Sequence, residues 1–252
     1  MKTGIFVVIV LLSGCFAGTI YGALNLVIVE PYLDDATSIE NQNLFKSGEE
    51  EDTPQFWVEY YEYRSWQKGG EVLAGAILGT SIGSLFGIVY ALSKKSLPSK
   101  NNIGKTLILA GLMWFTLFVI PFLKYPANPP TVGEAETVFL RGILYLSFIA
   151  ISGLLAVGFY QVFKRLKGKN KILAFVGYGV FISLVFFIMP DNPDKISAPI
   201  ELVNGFRAVA FFTSSVFWFT LALILGAFWQ KTNPDLSNTC LLYTSDAADE
   251  GL

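Results

Sequence analysis

The stretch TLILAGLMWFTLFVIPFLKYPANPP, Thr106 to Pro130, decides the fold. Residues 106–123 carry no charged side chain, and a helix needs ~20 such apolar residues to cross a bilayer. A lysine, a tyrosine and three prolines then close the run. Proline lacks an amide N–H and obstructs the helix behind it, so the chain leaves the apolar layer abruptly instead of fraying. Asparagine before proline favours a turn or extended backbone. IMPDNPD, Ile188 to Asp194, closes another apolar run in the same manner.

Six such runs can be marked: Ile5–Val29, Val72–Leu92, Thr106–Leu123, Gly142–Phe163, Ile172–Met189 and Phe206–Phe228. The 252-residue chain is 53% hydrophobic and only 15% charged, against about 25% charge in a soluble domain. An all-α polytopic membrane protein is predicted, with about six transmembrane helices arranged as three outward hairpins. LSGC, Leu12 to Cys15, has the look of a lipoprotein signal, but the apolar chain runs on to Val29, so the segment reads as a span.

Several function classes fall away. Histidine is absent, and Cys15 and Cys240 imply no disulfide framework. No Gly-rich Lys-Ser/Thr phosphate loop occurs, so an ATP-driven step belongs to another chain. No nucleophile–base pair is visible, an enzyme is not expected, and no nucleic-acid partner or permanently bound cofactor is implied.

The last residues read differently. CLLYTSDAADE, Cys240 to Glu250, back-translates codon by codon into a common sequencing-library adapter. Residues 1–239 are therefore taken as a single integral membrane domain and 240–252 as foreign. The native sequence is expected to diverge near Cys240. Without Asp246, Asp249 and Glu250 the chain has 18 basic and 17 acidic residues.

Charge is segregated along the chain. Lys94, Lys95, Lys100, Lys105, Lys164, Arg165, Lys167, Lys169 and Lys171 occupy two short loops, whereas the alternate loops hold Lys124, Arg141, Lys195 and Arg207. The positive-inside rule then places both native ends in the cytoplasm of a multi-pass cell-membrane protein. All native carboxylates but Asp235 fall on the outward side. They are either tolerated there or form an anionic face that concentrates cations.

Two patterns repeat. Asn128-Pro129 and Asn192-Pro193 each precede an arginine that opens the return helix, Arg141 and Arg207. A parallel duplication, as in transporters built from repeats, and a chance likeness of proline-rich corners both account for this. Gly14, Gly18 and Gly22 recur at spacing four, as do Gly75, Gly79, Gly83 and Gly87. That spacing aligns them on one helix face for close helix packing or, alternatively, for sliding in alternating access. Between these glycine series, residues 30–70 read as an acidic extracytoplasmic loop, in which FWVEYYEYRSW, Phe56 to Trp66, could lie as a short helix in the headgroup layer.

VEPYL after the first run, LKYPANPPTVG leading to Arg141 in FLRGILY, and MPDNPD leading to Phe206-Arg207 resemble the CbtA family. The resemblance covers roughly residues 1 to 230. It implies a cobalt transporter subunit of the cell membrane, often accompanied by a small histidine-bearing membrane partner, CbtB. The residues themselves support a cation more than cobalt, because oxygen ligands favour Mg, Ca or Mn.

The candidate ligands are carboxylates where spans meet the outer surface: Glu30, Glu71, Asp191, Asp194 and Glu201. Arg141, Arg207, Asn128 and Asn192 would support them. Solvated helix ends or ion pairs with the arginines are the alternative reading of the same acids. No ionisable residue lies deep within a span, where such residues usually mark ion pathways. Two functions stay open: a membrane subunit of a divalent metal uptake system energised elsewhere, or a non-transporting structural or assembly subunit.

Overall fold

The computed structural model describes residues 2–130, 132–133, 135–194, 196 and 198–235. The foreign tail inferred from Cys240 onward lies outside them. With 84% helix and no strand among the described residues, the chain is all-α. Among the described residues, six helical stretches are long and apolar enough to cross a membrane: Thr3–Ser47, Pro54–Ser93, Asn102–Lys124, Val138–Arg165, Gly168–Ile188 and Ile200–Thr232. Each contains one of the six apolar runs, apart from Met189 at the end of the fifth, which lies just past its helix.

The helices are α1 (Thr3–Leu24), α2 (Glu30–Ser47), α3 (Pro54–Ser93), α4 (Asn102–Trp114), α5 (Ile120–Lys124), α6 (Val138–Arg165), α7 (Ile172–Ile188) and α8 (Ile200–Thr232). A π-helical turn, Asn25–Val29, joins α1 to α2, and a second, Phe115–Val119, joins α4 to α5. The chain divides into two compact units, whose described residues are 2–23, 71–110 and 216–235 in the first, and 24–70 and 111–215 in the second.

In the first unit, the glycine face of α1 lies against that of α3. A Cβ added to Gly79 would stand 2.5 Å from the Cα of Gly18, and one on Gly75 would stand 2.9 Å from the Cα of Gly22. Gly14 and Gly83 are similarly apposed at 2.6 Å, while a Cβ on Gly87 would run into the side chain of Val10. Only a missing side chain lets two helix backbones approach this closely.

The same unit fastens the end of α8. Trp229 is fully buried, edge-on to Tyr90 at 4.8 Å and to Phe6 at 5.8 Å. Its indole Nε1–H donates to Asp235 at 3.1 Å, and the Lys94 ammonium pairs with that carboxylate while lying over the Trp229 ring. Thr106 donates to the Ala222 carbonyl at 2.8 Å, tying α4 to α8.

In the second unit, residues 30–70 form a helical hairpin rather than the loop expected from the sequence. Only the acidic run at its tip is non-helical. Gly48 ends α2 in the left-handed conformation at φ 76°, which suits glycine, and the Thr53 hydroxyl caps the start of α3 by accepting from Phe56 N–H at 3.2 Å. Phe45 packs on Phe56 and Trp57, Thr37 bonds to Tyr60 at 2.9 Å, and a charge cluster closes the base. There Arg64 reaches Glu30 at 2.5 Å and Asp34 at 2.8 Å, and Lys68 reaches Asp34 at 2.7 Å.

This corrects the aromatic segment too. Phe56 to Trp66 belongs to α3, the helix that becomes the second span. It is therefore part of one 40-residue helix rather than a separate short one, with Phe56 about 24 Å along the axis from Val72.

Candidate functional site: the two proline corners

The second unit brings the two proline corners together. The first corner follows α5, where Tyr125 leaves the helix and donates its hydroxyl to the Pro190 carbonyl of the second corner at 2.6 Å. Beside it, the largely buried Lys124 ammonium pairs with Asp191 at 2.6 Å and lies 5.2 Å from the Phe186 ring centre. Asp191 itself is 96% exposed, and its bond to Lys124 holds its carboxyl below the usual carboxylate range.

Asp194 is the centre of the arrangement. Its side chain is fully buried, and it accepts from Arg141 Nη1 at 2.7 Å and from the Thr137 hydroxyl at 3.0 Å. Asn128 Nδ2 adds a longer contact at 3.4 Å. The backbone N–H of Asp194 donates to Asn192 Oδ1 at 3.1 Å, so Asn192 shapes the turn that presents the carboxylate. Gly133, at φ 98°, leaves room for it: a Cβ there would stand 2.5 Å from Asp194 Oδ1. Val132, Ala198 and Val203 form a small buried apolar cluster in the same unit.

The arginines pair crosswise. Arg141, which opens the helix after the first corner, binds the carboxylate of the second. Arg207, on the helix after the second corner, donates to Asn128 Oδ1 of the first through Nη2 at 2.7 Å and Nε at 3.3 Å. Each Asn-Pro corner is thus held by the arginine of the other hairpin.

The five candidate ligands are dispersed. Asp191 and Asp194 share the corner, but one faces solvent and the other is enclosed by donors. Glu201 is exposed in the first turn of α8. Glu30 belongs to the Arg64 cluster, with its side chain 8% exposed. Glu71 belongs to the first unit, where Gly22 packs near its backbone carbonyl. Among the described residues, no three His, Cys, Asp or Glu side chains gather as a metal site would require.

Sequence reasoning missed Asp34, Arg64, Lys68 and Thr137. The first three carried a signal, since Glu30/Asp34 is an acidic doublet and Arg64/Lys68 a basic one, each at helical spacing four and so on one helix face. Thr137 carried none, because a hydroxyl ahead of a helix reads as an ordinary cap.

Apolar spans, a glycine-packed helix pair and charge-locked polar corners define a multi-pass helical membrane protein. More particularly, the chain belongs to the CbtA family: the family model described as probable cobalt transporter subunit matches residues 4–230. Neither a curated protein nor a solved structure matches it.

Proposed function

We propose that this chain is the membrane subunit of a cobalt uptake system that another component energises. Membership of the cobalt transporter subunit family over residues 4–230 is the observation that carries this reading. The positive-inside pattern supports an orientation with both native ends in the cytoplasm of a cell membrane. In that orientation the proline corners and the 30–70 hairpin face outward. The reading is of a transport subunit rather than a catalyst.

Of the candidate acids, Asp191 and Glu201 are the exposed pair, suited to attracting a cation before it is handed on. Asp194 and Glu30 are engaged by arginines, so coordinating a metal would first require breaking those bonds. Glu71 is the remaining candidate ligand. Imidazoles, which this chain lacks, would come from a small CbtB-like membrane partner.

Engagement of the buried acids favours a second reading, a non-transporting subunit that assembles or stabilises a partner complex. Radiocobalt uptake in cells separates the two. Expression with the neighbouring genes should give uptake well above the neighbours alone, at equal partner abundance in the membrane. If uptake instead tracks partner abundance whether or not this chain is present, the assembly reading holds.

A further inference from the structure

The two corners are alike in plan but unlike in charge. After Asn192-Pro193 the second corner has Asp194, which receives Arg141. After Asn128-Pro129 the first corner has Pro130 in the equivalent place. Arg207 therefore meets the Asn128 amide oxygen, and no carboxylate among the described residues pairs with it. Its side chain is half-buried, where an uncompensated charge is costly. A guanidinium has five N–H donors. Asn128 engages Nε–H and one Nη2–H, leaving a fork suited to a planar pair of oxyanion oxygens.

The surroundings indicate where the anion comes from. Ile200, two helical turns before Arg207 and on the same face of α8, is 48% exposed, and Phe212, five residues after Arg207 and about 140° round the helix, is also exposed. A cation near the end of a membrane span, with an exposed apolar side chain on its own face, suits the level of phospholipid headgroups.

We infer that Arg207, positioned by Asn128, binds the phosphate of an anionic phospholipid, which takes the place that Asp194 fills for Arg141. This site stands apart from cation transport and from any assignment of the acids.

Thermal unfolding of the delipidated full-length protein in neutral detergent tests it, with short-chain phosphatidylglycerol or inorganic phosphate added. Phosphatidylglycerol should raise the unfolding midpoint of the unmodified protein. Arg207→Gln should weaken the apparent affinity roughly tenfold, equivalent to about 1.4 kcal/mol. An equal response to inorganic phosphate at the same concentration would overturn the lipid source. No response to either, or the same response in Arg207→Gln, would overturn the site.

Pro130→Asp covers the case in which Arg207→Gln does not fold. It offers Arg207 an internal carboxylate, so it should unfold at a higher temperature without lipid and lose the phosphatidylglycerol response. A full response retained in Pro130→Asp would contradict the inference.

Discussion

Asp194 and Asp191 lie three residues apart and have opposite surroundings. Asp194 is fully buried against Arg141, whereas Asp191 extends into solvent beside Lys124. Removing one partner of a buried charge pair typically costs about 3–5 kcal/mol, and the partial exposure of Arg141 places this pair near the lower end. Asp194→Asn should therefore lower the thermal unfolding midpoint in detergent markedly, while Asp191→Asn, which removes a solvent-exposed partner of Lys124, should lower it less. Equal midpoints for the two variants would contradict the crosswise lock. The participants were legible in the sequence, since Asn128, Asn192, Arg141 and Arg207 recur in matched positions. Their crossing was not, because a repeated Asn-Pro…Arg pattern is equally compatible with each arginine serving its own corner. The spacing of a motif constrains local backbone, and only folding decides which distant carboxylate an arginine meets.

At the scale of elements, the glycine series were the clearest periodic signal, and α1 and α3 approach along them. Gly79→Leu should force the two backbones apart and destabilise by overpacking, about 1–3 kcal/mol. Gly111→Leu is the matched control, since a Cβ there meets nothing within 4 Å. Thermal unfolding of both variants in detergent checks this; equal midpoints would mean that α1 and α3 are not in backbone contact. The 30–70 hairpin was less legible. Its low apolar content suggested a loop, but aromatic packing and the Arg64 cluster hold two polar helices together without a large apolar face. The π-helical turns at Asn25–Val29 and Phe115–Val119 left no trace in the sequence, because one extra residue in a helical turn does not alter an apolar run. The fastening of α8 predicts a pH dependence. Burial pushes the Asp235 carboxyl up, but bonds from Lys94 and Trp229 and the Lys94 charge outweigh it, leaving the group below its ordinary value. A depressed folded value means the contribution is fully present above pH ~3.9, the unfolded carboxylate range, and is lost as pH falls through the folded value. Unfolding midpoints should accordingly fall more steeply with acidification in the unmodified protein than in Asp235→Asn. Parallel pH profiles would remove Asp235 from the fastening.

At the scale of the whole molecule, the proposed orientation of the six spans, with both native ends cytoplasmic, predicts a definite labelling pattern. In a background with Cys15 and Cys240 replaced, a cysteine at Ser47 should react with an impermeant thiol reagent in intact cells, and one at Ser99 should react only after lysis. The reverse pattern would turn the acidic hairpin and both proline corners toward the cytoplasm. The central claim, that cobalt crosses the membrane through a complex containing this chain, is tested most directly in proteoliposomes holding a trapped, cobalt-quenched dye. Vesicles made with this chain and its neighbours' products, supplied with the neighbours' energy source, should quench when cobalt is added outside. Vesicles with the same amount of neighbours' products but without this chain should not. Equal quenching in the two preparations would contradict the account.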